Sequence, residues 1–147
     1  MPRRSGAGVE RFEAANPKGE TTCMRLLVWR VLVRLAVFDL MGLGRNFQAM
    51  HRFICSCRVK EQIPPSDAVE KVCDAVNRAC VWYPRRVRCL QRSVVTVSLL
   101  RHIGVPAKMA MGAQTYPFTA HAWTEVDGGA INEHREVQKI YSVWERC

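Results

Sequence analysis

At 147 residues, 48% hydrophobic and 24% charged, the chain is long enough for one domain with a real core, too short for two, and too apolar to be disordered. Its 22 Lys and Arg against 13 Asp and Glu give a net charge of +9, which points to acidic partners: an acidic peptide, a nucleic acid or an anionic lipid surface. Seven cysteines, an odd count with no C-x-x-C pair and no signal peptide ahead of them, read as reduced, mostly buried thiols in a bacterial-type cytoplasm rather than a disulfide framework.

Residues 1–22 hold Pro, Gly, Ser and scattered charge without periodicity, and a flexible tail is expected there. From Met24 to Leu43 the chain turns apolar (Leu26-Leu27-Val28-Trp29, Val31-Leu32-Val33, Leu35-Ala36-Val37-Phe38), which predicts a helix ending near Gly42 and Gly44. It approaches membrane-spanning length. However, Arg30 and Arg34 sit in its middle, and each would cost about 2.5–3.5 kcal/mol at the bilayer centre. The uses left to it are partner docking, peripheral membrane contact through residues 24–43, or a core helix with one basic face. Arg45 to Ile63 shows no regular pattern, so residues 23–65 are expected to form a helical, partner-docking region.

Pro64-Pro65 punctuates the chain, and Ser66 or Asp67 can cap the next helix. Ala68, Val69, Val72, Cys73, Val76, Ala79 and Cys80 recur at helical spacing up to Pro84. Cys73 and Cys80 share the apolar stripe and are expected to be buried and inert. A third helix is predicted from about Cys89 to Ile103, with Leu90, Val94, Val97 and Leu100 as its stripe and Gly104 and Pro106 as its stop. Lys108–Gln114, Thr119–Val126 and Ala130–Glu133 are then short and partly alternating, with turn residues between them. Helices followed by a small antiparallel sheet predict an α+β domain over residues 66–147, compact with the region before it.

One cysteine stands apart. Cys89 opens a helix, where unpaired backbone N–H groups and the helix dipole favour a thiolate and can stabilise an oxyanion. Arg85, Arg86, Arg88 and Arg92 surround it in sequence and act in the same direction. Its base is expected in Ala120-His121-Ala122-Trp123-Thr124-Glu125-Val126, where two alanines leave room beside the histidine. Trp123 either walls the site or packs in the core, Trp82 and Tyr83 are candidates for a substrate groove, and Glu125 is expected at the surface or behind the site. The zinc reading would draw on His51, Cys55, Cys57, Cys73 and Cys80, whose spacings match no common structural zinc pattern. No metal and no cofactor are expected, and no glycine loop is present to cradle a phosphate.

Cys89-Leu90-Gln91-Arg92-Ser93, Leu99-Leu100-Arg101-His102-Ile103-Gly104-Val105-Pro106-Ala107, Ala120 to Gly128 and Ile131-Asn132-Glu133 together resemble the transglutaminase-like peptidases of lasso-peptide biosynthesis, the microcin-processing family. The resemblance covers about residues 66–137. It implies a papain/transglutaminase-like fold and a Cys-His-Asp triad that removes the leader from a ribosomally made precursor. It also implies two partners besides that precursor: a small separate leader-binding protein and an ATP-dependent cyclase that closes the lactam.

The third triad position falls on Glu133, where the family usually has Asp; Asn132 is the alternative, as in papain-like enzymes. Hairpin register separates them. A two-residue loop at Asp127-Gly128 would pair Ala122 with Glu133 and turn Glu133 away from His121. A three-residue loop at Asp127-Gly128-Gly129 would bring Glu133 to the histidine's face, and Glu133 is favoured. The expected activity is cysteine peptidase. The alternatives are acyl transfer on the same triad and a basic nucleic-acid-binding module, which would need a basic face with interleaved aromatics.

Overall fold

The computed structural model describes residues 17–40, 47–133 and 136–147. α1 (Pro17–Leu40) buries Val31, Leu35 and Phe38, an i, i+4, i+7 stripe laid chiefly against α3. Its exposed side carries Leu26, Trp29, Val33 and Val37. The helix starts seven residues before the apolar run, so residues 17–22, expected in the tail, are helical. Thr21, Thr22 and Cys23 are exposed, and the sequence from Pro17 to Thr22 offers no apolar stripe to reveal the helix. The predicted stop at Gly42 and Gly44 and the rest of the predicted tail lie outside the described residues. No helix of the described residues is long and apolar enough to cross a membrane.

α2 (Phe47–Ser56) corrects the expectation of an irregular stretch. Met50 and Ile54 are fully buried one turn apart, a stripe too short to stand out between His51, Arg52 and three polar or cysteine neighbours. Its last turn is held from outside. Buried Arg101 gives Nη1 to the carbonyls of Ile54 at 2.8 Å and Cys57 at 3.0 Å, a cation at the negative end of a helix.

α3 (Ala68–Trp82) buries Ala68, Val72, Ala75, Val76 and Ala79. Asp67 precedes it but pairs its carboxylate with Lys71 at 2.6 Å rather than capping through the side chain. α4 (Cys89–His102) is buried along most of its length and stops at Gly104, whose φ of +90° suits glycine. Four antiparallel strands complete the fold: β1 (Lys108–Thr115), β2 (Phe118–Val126), β3 (Gly129–Ile131) and, after a short α5 (Val137–Ile140), β4 (Ser142–Arg146), in the order β3-β2-β1-β4.

α4 lies on one face of the sheet, where Met109, Met111 and Ala122 join the main core with α1, α2 and α3. Each fully buried Val or Leu there contributes about 1.5–3 kcal/mol. The opposite face carries a second, smaller core of Ala110, Trp123 and Val137 with Tyr141 and Val143. β4 has no counterpart among the predicted elements: outward Trp144 and inward Glu145 invert the alternation that marks a half-buried strand.

Candidate active site

Cys89 occupies the first position of α4, and that turn is anchored from two sides. The Arg88 N–H donates to Gln91 Oε1 at 3.0 Å, while Gln91 Nε2 donates to Asp39 Oδ1 of α1 at 2.8 Å. Asp39 also accepts from the Tyr83 hydroxyl at 2.7 Å and faces Arg85 at 3.8 Å. One acidic residue of α1 thus fixes both the approach to Cys89 and its first helical turn. Tyr83 is committed to this anchor, and Trp82, 79% exposed, lines a shallow hollow with Met24, Val28, Trp29 and Leu32 between α1 and α3. These contacts put Tyr83 beneath the Cys89 turn and Trp82 on the α1–α3 face.

His121 sits on β2 opposite Gly112 of β1. Its ring stacks on Trp123 (centroids 6.2 Å apart, 21° between planes) and tilts against Tyr141 (5.3 Å, 32°). Trp123 is wholly buried, so it forms the floor beneath the imidazole as part of the core. Gly112 is what admits these rings: a Cβ there would meet the Ser142 carbonyl at 2.9 Å, Tyr141 Cβ at 3.0 Å and Trp123 at 3.1 Å. Tyr141 and Gly112 carry no signature in the sequence, because each acquires its role only when β4 and β2 flank β1.

The hairpin closes as a two-residue turn, with Val126 paired to Gly129 and positive φ at both Asp127 (50°) and Gly128 (80°). The three-residue loop is therefore overturned, and so is the inference that the shorter loop turns Glu133 away. β3 ends at Ile131, and Asn132 takes φ 56°, so strand alternation no longer governs the next residue. Glu133 swings back, and its Oε1 stands 3.6 Å from His121 Nε2 and 3.6 Å from Arg92 Nη1. Arg92 also donates to the Asn132 carbonyl at 2.8 Å and to Asn77 Oδ1 at 2.9 Å, and Asn77 in turn donates to Asn132 Oδ1 at 2.9 Å. Asn132 therefore faces α3, whereas Glu133 faces the histidine.

The helix of Cys89 and the strand of His121 are joined through Ser93, whose hydroxyl donates to the Ala122 carbonyl at 3.0 Å. Cys89 lies one turn before Ser93, on the same helix face. Its side chain packs half-buried against the main core. Among the described residues no hydrogen bond links its sulfur to the imidazole; in ligand-free enzymes such bonds are commonly long and tighten only with substrate. Glu133 approaches the imidazole from the Nε2 side, and among the described residues no hydrogen bond engages Nδ1.

The remaining candidates divide sharply. Glu125 is only 4% exposed, not a surface residue. It accepts from Trp123 Nε1 at 3.0 Å, Gln138 Nε2 at 2.7 Å and Arg146 Nε at 2.9 Å. Burial pushes its carboxyl up, but the donors from Arg146, Gln138 and Trp123 outweigh that and hold it below the ordinary range. Burial raises the thiols of Cys73 (to about 11) and Cys80, which keeps both protonated. None of the seven cysteines is fully buried, and Cys23 and Cys55 are exposed, against the expectation of mostly buried thiols. Of the residues weighed for zinc, His51 and Cys55 do come together, and their neighbour is Cys147 rather than Cys57, Cys73 or Cys80.

No curated protein and no solved structure matches the chain. A family described as the transglutaminase-like superfamily matches residues 31–145, a span that takes in the second part of α1, all of α2, α3 and the cysteine helix, and the sheet as far as Glu145. Members of that superfamily are generally cysteine peptidases and transglutaminases. The chain belongs to the transglutaminase-like superfamily.

Proposed function

We propose that the chain is the leader peptidase of a lasso-peptide pathway, acting through Cys89, His121 and Glu133. The observation that carries the triad is the approach of Glu133 Oε1 to His121 Nε2 at 3.6 Å, on a ring whose other nitrogen remains available. The motifs around Cys89, Gly104, His121 and Glu133 support the narrower choice of substrate. In this reading the Cys89 thiolate attacks the carbonyl at the leader/core junction, and N–H groups of the first turn of α4 stabilise the oxyanion. His121 takes up the thiol proton and delivers it to the leaving amine as the C–N bond breaks. Water, deprotonated by His121, then opens the thioester and frees the leader. Glu133 holds the tautomer and steadies the imidazolium.

Precursor delivery falls to a separate leader-binding protein, which raises the local concentration of the scissile bond near Cys89; an ATP-dependent cyclase closes the lactam afterwards. The exposed side of α1, with Trp29, Val33 and Val37 beside exposed Arg30, is the docking surface.

The test is incubation of the full chain with a lasso-peptide precursor, with and without its leader-binding protein, read by mass spectrometry. The expected result is a free leader, slow alone and fast with the partner, absent for Cys89→Ala, and with a reduced partner effect for Arg30→Glu. A leader–amine adduct would replace hydrolysis by acyl transfer. Cleavage surviving Cys89→Ala, or none with the partner present, would overturn the reading.

A further inference from the structure

α2 and the end of the sheet bring three soft or borderline metal ligands together. His51 and Cys55 are i and i+4 on α2 and share one face. Cys147 comes directly after β4, the edge strand that pairs with β1. Ligand atoms of all three lie within 4.8 Å of one another, and the Cys55 sulfur is 3.9 Å from His51 Nδ1 and 3.8 Å from Nε2. Glu145 Oε1 stands 3.3 Å from His51 Nε2.

We propose that His51 Nδ1 and the thiolates of Cys55 and Cys147 bind a zinc-type divalent cation, with Glu145 orienting the histidine through Nε2–H. Tetrahedral zinc at the usual bond lengths separates its nitrogen and sulfur ligands by about 3.5–3.8 Å. The Cys55 and His51 atoms already stand at about that spacing, and the rest close by side-chain shifts of roughly 1 Å. A carboxylate on the far nitrogen of a ligating histidine is the arrangement that fixes tautomer and ring direction in metal sites. Two thiolates and the cation cancel in charge, and a fourth position stays open to water because Cys55 is exposed.

Both ligand-bearing segments are held in place without a metal. Cys147 exchanges two backbone hydrogen bonds with Met109, at 2.7 and 3.0 Å, while Arg101 holds the last turn of α2. A disulfide between Cys55 and Cys147 would use neither the imidazole nor the carboxylate. The sequence concealed the site because its members come from positions 51, 55 and 147, a spacing that matches no local zinc pattern.

The test titrates reduced, chelator-treated full chain with Co²⁺ under nitrogen and then displaces it with Zn²⁺. One equivalent should bind with thiolate-to-cobalt charge-transfer absorption, and Zn²⁺ should raise the melting temperature. Cys55→Ser or Cys147→Ser should abolish the charge-transfer bands while circular dichroism stays unchanged. His51→Ala should weaken binding at least tenfold, and Glu145→Gln about tenfold. Cys73→Ser and Cys89→Ala should bind as the wild type does, so the result is independent of any peptidase activity. Bands that survive both Cys55→Ser and Cys147→Ser, bands lost only in Cys89→Ala, or a Cys55–Cys147 disulfide forming in the presence of Zn²⁺ would each overturn the proposal.

Discussion

The Ser93 hydroxyl donates to the Ala122 carbonyl at 3.0 Å, and the Thr124 hydroxyl returns the exchange to the Ser93 carbonyl at 3.4 Å. This pair of bonds fixes the height of α4 over β2, and with it the position of Cys89 relative to His121. Ala122 permits the approach because its side chain is a single methyl group. Ser93→Ala should cost about 1 kcal/mol of stability, measured by urea unfolding. Turnover should fall tenfold or more with KM little changed, since a displacement of about 1 Å at a reacting atom is worth up to about 10²-fold. Equal activity in the variant would detach the helix-to-strand register from catalysis.

At position 132 the backbone matters more than the amide. Asn132 holds φ 56°, and that conformation delivers Glu133 to His121. Asn132→Gly should therefore keep most of the activity, whereas Asn132→Val, for which a positive φ is costly, should lose at least tenfold. Glu133→Gln should lower kcat more than Asn132→Ala does, with KM nearly constant in both. Steady-state kinetics of the four variants gives the ranking directly, and Asn132→Ala falling below Glu133→Gln would move the third role to the asparagine.

Arg92 gathers three acceptors around one guanidinium: Asn77 Oδ1, the Asn132 carbonyl and Glu133. A planar fork can serve all three, and an ammonium point charge cannot. Arg92→Met should reduce kcat by about 10–100-fold by freeing the turn that carries Glu133, and Arg92→Lys should recover only part of it. The Cys73 thiol should show the substitution too. Arg92 lowers the Cys73 pKa against the larger effect of burial, so alkylation of Cys73 at alkaline pH should slow in Arg92→Met.

Glu125 makes the fold sensitive to acid. Its carboxyl lies below the ordinary range in the folded chain, so the unfolded chain binds the proton more tightly. The stabilisation is complete above the unfolded value, about 4.3, and is lost as pH falls from there through the lower folded value. Thermal unfolding measured between neutral and acidic pH should show this loss, and Glu125→Gln should flatten it while lowering stability at neutral pH. The same acid limb in both proteins would assign it to other carboxylates.

The features legible in the sequence are those written in local chemistry. Cys89 stands at a helix start because Pro84 and the extended basic run before it cannot continue α3, and Gly104 ends the same helix because φ +90° needs no Cβ. The partial alternation of β2 and the stripe of α3 are equally local, and together they give the α+β architecture, whereas the length of the hairpin loop at Asp127-Gly128 is settled only by the pairing of Val126 with Gly129. Tertiary structure alone decided the rest. Glu133 reaches His121 through a single left-handed residue, which no alternation rule anticipates. α2 and β4 emerge only where Arg101 and β1 supply their missing hydrogen bonds. His51, Cys55 and Cys147 meet across the domain, as do Asp39 and Gln91. Periodicity records which face of an element is buried. It carries no record of what lies opposite that face, and the partners of His121, Glu125 and Cys147 are set there.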